Sequence, residues 1–194
     1  ISPSHQFPTG IVMPVSRRYE LLRWAKEKSS RYIIEDDYDC EFRLYGRPIP
    51  PLQSIDSAEK VIYINTFSKT LAPTFRISYM VLPAHLASLF YEKLGFYSCT
   101  VSNFEQFTLA KFIEDGYFER HINRMRTYYR TKRDRLLHYL ATCKAAPALT
   151  VEGENSGLHF LLHLATQASD TTLTQAALAH GIQIKFLSDY YHDK

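Results

Sequence analysis

The sequence predicts an α/β fold: a mostly parallel sheet flanked by helices, forming part of a large domain, followed by part of a smaller α+β domain. Three observations carry this reading. Short runs of β-branched and aromatic residues alternate with helix-period segments through the first half of the chain. One long helical segment follows. After it, two short apolar runs sit close enough in sequence to pair antiparallel. A division near the start of the long helix assigns residues 1–125 to part of the large domain. Residues 126–194 then hold most of the connecting helix and part of the small domain.

Each element has a local cause. Residues 14–28 read as a helix, with Ser16 as a plausible cap and Leu21, Leu22, Trp24 and Ala25 as its apolar stripe. Residues 32–35 are a strand. Residues 43–58 are a loop, because Pro48, Pro50 and Pro51 interrupt regular structure. Residues 61–65 and 77–82 are strands. Pro83 opens a helix to about Leu94, and Asn103 opens another that ends near Gly116. The long helix runs from Tyr117 to Thr142. Residues 149–152 and 158–164 read as the antiparallel pair, 171–180 as a helix stopped by Gly181, and 183–186 as a last strand.

The segment Thr66-Phe67-Ser68-Lys69-Thr70-Leu71-Ala72-Pro73-Thr74-Phe75-Arg76 carries the chemistry. Lys69 falls just past a strand end, with hydroxyls before it and Arg76 after it. A lysine amine becomes a useful nucleophile when its pKa is lowered and a carbonyl is within reach. Hydroxyls and a guanidinium are the groups a phosphate monoester needs. Together they point to a Schiff base between Lys69 and pyridoxal phosphate. A surface lysine in a polar loop would read the same way. A second segment, Glu35-Asp36-Asp37-Tyr38-Asp39, ends another strand. Ligands of open α/β sheets bind at such carboxyl ends. A carboxylate there can keep a pyridine nitrogen protonated, and a tyrosine can contact the ring oxygen. A solvated acidic turn and a divalent-metal loop are the competing readings.

Five blocks make the chain recognisable: Pro3-Ser4-His5-Gln6-Phe7-Pro8-Thr9-Gly10, Glu35 to Phe42, Thr66 to Pro73, Arg76 to Pro83, and Asn155-Ser156-Gly157-Leu158-His159-Phe160. In this order and spacing they resemble the fold-type I pyridoxal-phosphate enzymes. More narrowly, they resemble the aminotransferase-like domain of MocR-type regulators, a branch of the GntR superfamily. The resemblance implies that Lys69 holds the cofactor, that Asp36 pairs with its pyridine nitrogen and that Tyr38 contacts its ring hydroxyl. It implies that Thr66, Ser68 and Arg76 hold its phosphate. It also implies an amine or amino-acid effector, a homodimer, and a winged helix-turn-helix DNA-binding domain upstream of this segment. The alternative is a catalytic aminotransferase acting on amino acids. Aminotransferases carry asparagine before the Pro-Thr-Gly turn, whereas this chain has Phe7, which cannot donate that hydrogen bond. His5 or Gln6 can substitute, or be plain loop residues.

The bulk properties fit. The chain has 194 residues, 45% hydrophobic and 22% charged, as in ordinary globular proteins. No apolar run reaches membrane-spanning length, and no signal pattern opens the chain. Three cysteines without metal-ligand spacing point to free thiols in a reducing cytosol. The net charge of +3 is too small to argue for nucleic acid. The long helix carries Arg120, Arg124, Arg126, Arg130, Lys132, Arg133 and Arg135. They read either as a nucleic-acid stripe or as the solvated face of a helix packing through Phe118, Ile122, Met125, Tyr129, Leu136 and Leu140. His159 and His163 have no third ligand nearby in sequence, so no metal is assigned. His121 and His138 read as helix-surface residues. Phe90, Tyr91, Phe96, Tyr97, Phe104 and Phe107 read as core and dimer-contact residues.

Overall fold

The computed structural model describes residues 1–44, 46, 49–155 and 157–191. Pro48, Ser156 and residues 192–194 of the readings above lie outside the described residues. In chain order the elements are α1 (Val15–Lys26), β1 (Ile33–Asp36), α2 (Leu52–Ile55), β2 (Val61–Thr66), β3 (Ser78–Val81), α3 (Ala84–Leu94), α4 (Asn103–Glu114), α5 (Tyr117–Thr142), β4 (Leu149–Glu152), β5 (Leu161–Leu164) and α6 (Asp170–Ala179).

β1 and β2 pair in parallel, with Ile33 opposite Val61 and Asp36 opposite Ile64. β2 and β3 pair antiparallel, with Thr66 opposite Ser78. The sheet is therefore mixed. A parallel return needs a crossover of a dozen or more residues, usually carrying a helix. Residues 67–77 form a turn-rich loop without one, so β3 comes back alongside β2 in the opposite sense. The second sheet is the expected antiparallel pair, Leu149 opposite Leu164 and Glu152 opposite Leu161.

The core under the first sheet is Ala25, Ile33, Leu52 and Val61, with Leu21 and Leu22 packed against it. Trp24 does not join them. It is 45% exposed, and the Arg31 guanidinium lies 4.6 Å from its ring centre. Nor does Ser16 cap α1; Pro14 holds that position, in extended conformation.

The expected loop at 43–58 contains a helical turn, α2, because tertiary structure supplies its cap. Glu35 is fully buried, and its two carboxylate oxygens accept from the backbone N–H groups of Leu52 (2.8 Å) and Gln53 (2.9 Å). Those are the orphan donors of a helix start. Burial raises the Glu35 carboxyl above its usual range, and these two bonds oppose the rise. Arg18 is equally buried. Its guanidinium donates to the carbonyls of Met13 (3.2 Å), Pro50 (2.9 Å) and Pro3 (2.8 Å), fastening α1, the first turn and the segment before α2 together.

Residues 183–186 are not a strand. Among the described residues nothing pairs with them, and a 3-10 turn at Leu187–Tyr190 follows. β5 is shorter than expected, beginning at Leu161. The aromatic group on α3, α4 and their connection is not core within this chain: Tyr91, Phe96, Phe104 and Phe107 are 74–80% exposed.

Candidate functional site

Because β1 and β2 run parallel, their carboxyl ends open on the same edge of the sheet, bringing Asp36 and Thr66 to neighbouring positions. The loop after β2 folds back on itself through hydroxyls. Thr66 Oγ1 lies 3.2 Å from both Ser68 Oγ and the Ile77 carbonyl, and it accepts from the Ser68 N–H at 3.2 Å. Ser68 Oγ donates to the Phe75 carbonyl at 2.6 Å and accepts from the Arg76 guanidinium at 3.5 Å. Thr66, Ser68 and Arg76 thus form one cluster, with Arg76 exposed to solvent. Lys69 is exposed on the same loop, while the next residue, Thr70, is buried and anchors the turn. Two hydroxyls and a guanidinium with an amine beside them suit a phosphate monoester bearing a carbonyl.

Asp36 is exposed, and its backbone N–H donates to the Ile1 carbonyl. Partial desolvation raises its carboxyl, and Asp37 and Asp39 add to the rise. Tyr38 donates from its hydroxyl to the His5 carbonyl at 3.1 Å. Burial first, then Asp39 and Asp36, push its phenol far above the usual tyrosine range, so it remains a hydrogen-bond donor. Among the described residues no hydrogen bond joins Lys69 to Asp36 or Tyr38.

Behind these residues lies a buried polar network that composition did not disclose. Tyr63 donates to Asp37 Oδ2 at 3.1 Å, and Asn65 donates to Glu41 Oε1 at 3.2 Å. Asn65 Oδ1 accepts from the Thr66 N–H at 2.6 Å, so the network holds the start of the lysine loop. Desolvation dominates a raised Glu41 carboxyl, with its own N–H, Cys40 and Asn65 opposing and Asp37 reinforcing. A carboxyl raised by folding binds its proton more tightly in the folded state. The stability it contributes is therefore lost as pH climbs from the ordinary carboxylate range to the raised value. Glu41→Gln should raise the melting temperature near neutral pH, with the gain vanishing in acid. Thermal unfolding across pH checks this; a gain independent of pH would refute it.

The turn at Phe7-Pro8-Thr9-Gly10 contains a cis Phe7–Pro8 bond and closes through Gly10 N–H to the Gln6 carbonyl at 2.7 Å. Phe7 points to the second half of the chain, edge-on to His159 (5.4 Å) and Tyr190 (5.2 Å). Gln6 is exposed and donates to the Phe7 carbonyl. His5 is 3% exposed and shares a 2.7 Å hydrogen bond between Nδ1 and Asp39 Oδ2. Its ring centre lies 4.1 Å from that of His159. Gly157, at φ +66°, rests on the His5 ring; a Cβ there would fall 1.9 Å from His5 Cε1. Sequence reasoning left His159 without partners because they lie in distant blocks. The signal lay in the blocks around His5, Asp39 and His159, which the fold brings together.

α5 ties these parts together. His121 is not a surface residue: it is half-buried, and its Nε2 bonds the Thr70 carbonyl at 2.9 Å. Arg126 donates to the Glu41 carbonyl and Arg133 to the Glu154 carbonyl. Two members of the basic run thus serve intrachain packing. Leu136 is 46% exposed and falls outside the packed stripe.

The chain matches the family model for aminotransferase class I and II over residues 3–187. It is 45% identical over 193 residues to the uncharacterized HTH-type transcriptional regulator YdeL of Bacillus subtilis, covering 99% of this chain and 41% of that protein. It is 35% identical over 193 residues to the probable rhizopine catabolism regulatory protein MocR of Rhizobium meliloti, covering 99% and 39%. The chain spans about two fifths of the length of these curated relatives. The solved kynurenine aminotransferase of Pyrococcus horikoshii, in complex with PMP, superposes with a TM-score of 0.77 at 29% identity over 93% of this chain and 44% of that one.

Proposed function

Because the chain belongs to the aminotransferase class I and II family, we propose that it is the pyridoxal 5'-phosphate-binding, effector-sensing domain of a GntR/MocR-type transcriptional regulator. The observation that carries the regulator reading is the near-full-length similarity of this chain to the YdeL regulator. Pyridoxal phosphate, when bound, supplies a carbonyl for amines and an electron-withdrawing ring. The donor set of the lysine loop fits it. Lys69 is the amine that would hold it, on the loop an incoming amine or amino acid would have to reach. Asp36 holds the proton on the ring nitrogen. Tyr38, kept protonated by its surroundings, donates to the ring hydroxyl oxygen. Thr66, Ser68 and Arg76 bind the phosphate. The whole protein acts as a homodimer in the cytoplasm, with DNA bound through a winged helix-turn-helix domain elsewhere in it.

Sensing requires that the effector bind one state of the protein better than the other. Linkage makes this reciprocal: DNA shifts effector affinity by the factor by which effector shifts DNA affinity. The expected result is a change in DNA affinity of about 5–150-fold on adding the right amino acid to the pyridoxal-phosphate form, the usual range for coupled sites. A DNA-binding titration of the whole protein, with pyridoxal phosphate alone and then with candidate amino acids, measures it. The second reading, a catalytic aminotransferase, is favoured by the likeness to the Pyrococcus enzyme. Rapid multiple-turnover transamination without any change in DNA binding would select it and discard the sensor.

A further inference from the structure

We propose that His5, Asp39 and His159 form a buried site for a divalent transition-metal ion of the zinc type, bound by the Nε2 atoms of the two imidazoles with Asp39 supplying the negative charge. One ligand atom from each residue lies within 4.8 Å of the others. The hydrogen bonds assign the ring nitrogens. His5 Nδ1 bonds the Asp39 carboxylate, an acceptor, so Nδ1 carries the hydrogen and Nε2 a lone pair. His159 Nε2 is buried and has no hydrogen-bond partner. His5 Nε2 likewise has no partner and no contact with solvent. Two buried imidazole nitrogens on rings whose centres lie 4.1 Å apart are thus left without a hydrogen-bond partner among the described residues.

This is the arrangement of metal-binding histidines, which characteristically donate the second ring N–H to a carboxylate or a backbone carbonyl. His5 does so through Asp39. Two imidazoles and a carboxylate suit zinc and its neighbours, not magnesium or calcium, which take oxygen ligands. The ligands come from the turn before α1, the segment after β1 and the segment before β5. An ion there would bind the two sheets' connections to one another. Phe7 lies edge-on to His159, and Tyr190 edge-on to Phe7. His163 is not part of the site: it is exposed and pairs with Glu152 at 2.9 Å.

The whole protein, dialysed against chelator, is titrated with zinc and with cobalt(II), and bound metal is counted by elemental analysis. The expected result is one ion per chain and a visible ligand-field band with cobalt. His5→Ala and His159→Ala abolish both. Asp39→Asn weakens affinity about 10–100-fold, as loss of an orienting carboxylate does. His159→Cys keeps a zinc ligand and retains the ion, which covers the case in which His159→Ala fails to fold. His163→Ala leaves the metal count unchanged, and the count is read without the cofactor, so a result here is separable from the fate of the cofactor reading. Substoichiometric metal in the wild type, equal retention by His5→Ala, or a crystal structure with a water bridging the two Nε2 atoms overturns the proposal.

Discussion

Lys69→Ala is expected to abolish all covalent pyridoxal phosphate. After borohydride reduction, wild-type protein should carry the cofactor on the peptide containing Lys69, and the variant should carry none on any peptide. The effect should be total because a secondary amine forms only where a primary amine met the carbonyl, and on the proposed reading the hydroxyl and guanidinium cluster would direct the cofactor to this loop. Lys69 is exposed and makes no hydrogen bond among the described residues, so removing it should leave folding within the small range of surface substitutions. Mass spectrometry of the reduced, digested protein decides it. An undiminished adduct in the variant, on Lys60 or any other lysine, would remove Lys69 from the site.

Arg18→Met should have the largest effect on stability, about 3–5 kcal/mol, the usual cost of breaking up a buried charged network. Methionine can fill much of the volume but donates nothing. The carbonyls of Met13 and Pro50 would then lose the guanidinium in a largely dry interior, while that of Pro3 would keep only the Met13 N–H. Burial lowers the Arg18 pKa, with Glu35 and Asp37 opposing, yet a guanidinium stays charged at any working pH. Glu35 and Asp37 would lose that positive charge as well. Urea denaturation of the whole protein measures the loss; a change under about 1 kcal/mol would mean that ordered water replaces the guanidinium.

The parts of the fold written in local periodicity were legible in the sequence. α4 was expected at its observed bounds and α5 at its own, because capping residues and glycines mark them. β1 and β2 were found from their β-branched runs. The lysine loop was legible because hydroxyls, amine and guanidinium occupy one short stretch, and its hydroxyl cluster forms as that stretch suggests. What was not legible depends on partners distant in sequence. α2 exists because Glu35 caps it from another strand, so prolines alone gave the wrong picture. His121 looked like a surface residue until Thr70 was placed against it. The direction of β3 followed from a missing crossover helix, which a pattern of apolar residues does not encode. Residues 183–186 had strand composition but no neighbour to pair with.

α5 is 26 residues long, so it spans about 39 Å at the usual rise per residue. It touches the carbonyl of Thr70, next to Lys69, near its start, and the Glu154 carbonyl, ahead of Gly157 and His159, farther along. A rod held this way acts as a mechanical amplifier. A tilt of about 5° pivoting on Thr70 displaces its far end by about 3 Å, given that same rise. Under the sensing proposed above, what occupies Lys69 would be read out at a distance as a change in the helix's angle, through the His121 and Arg133 side chains that grip those carbonyls.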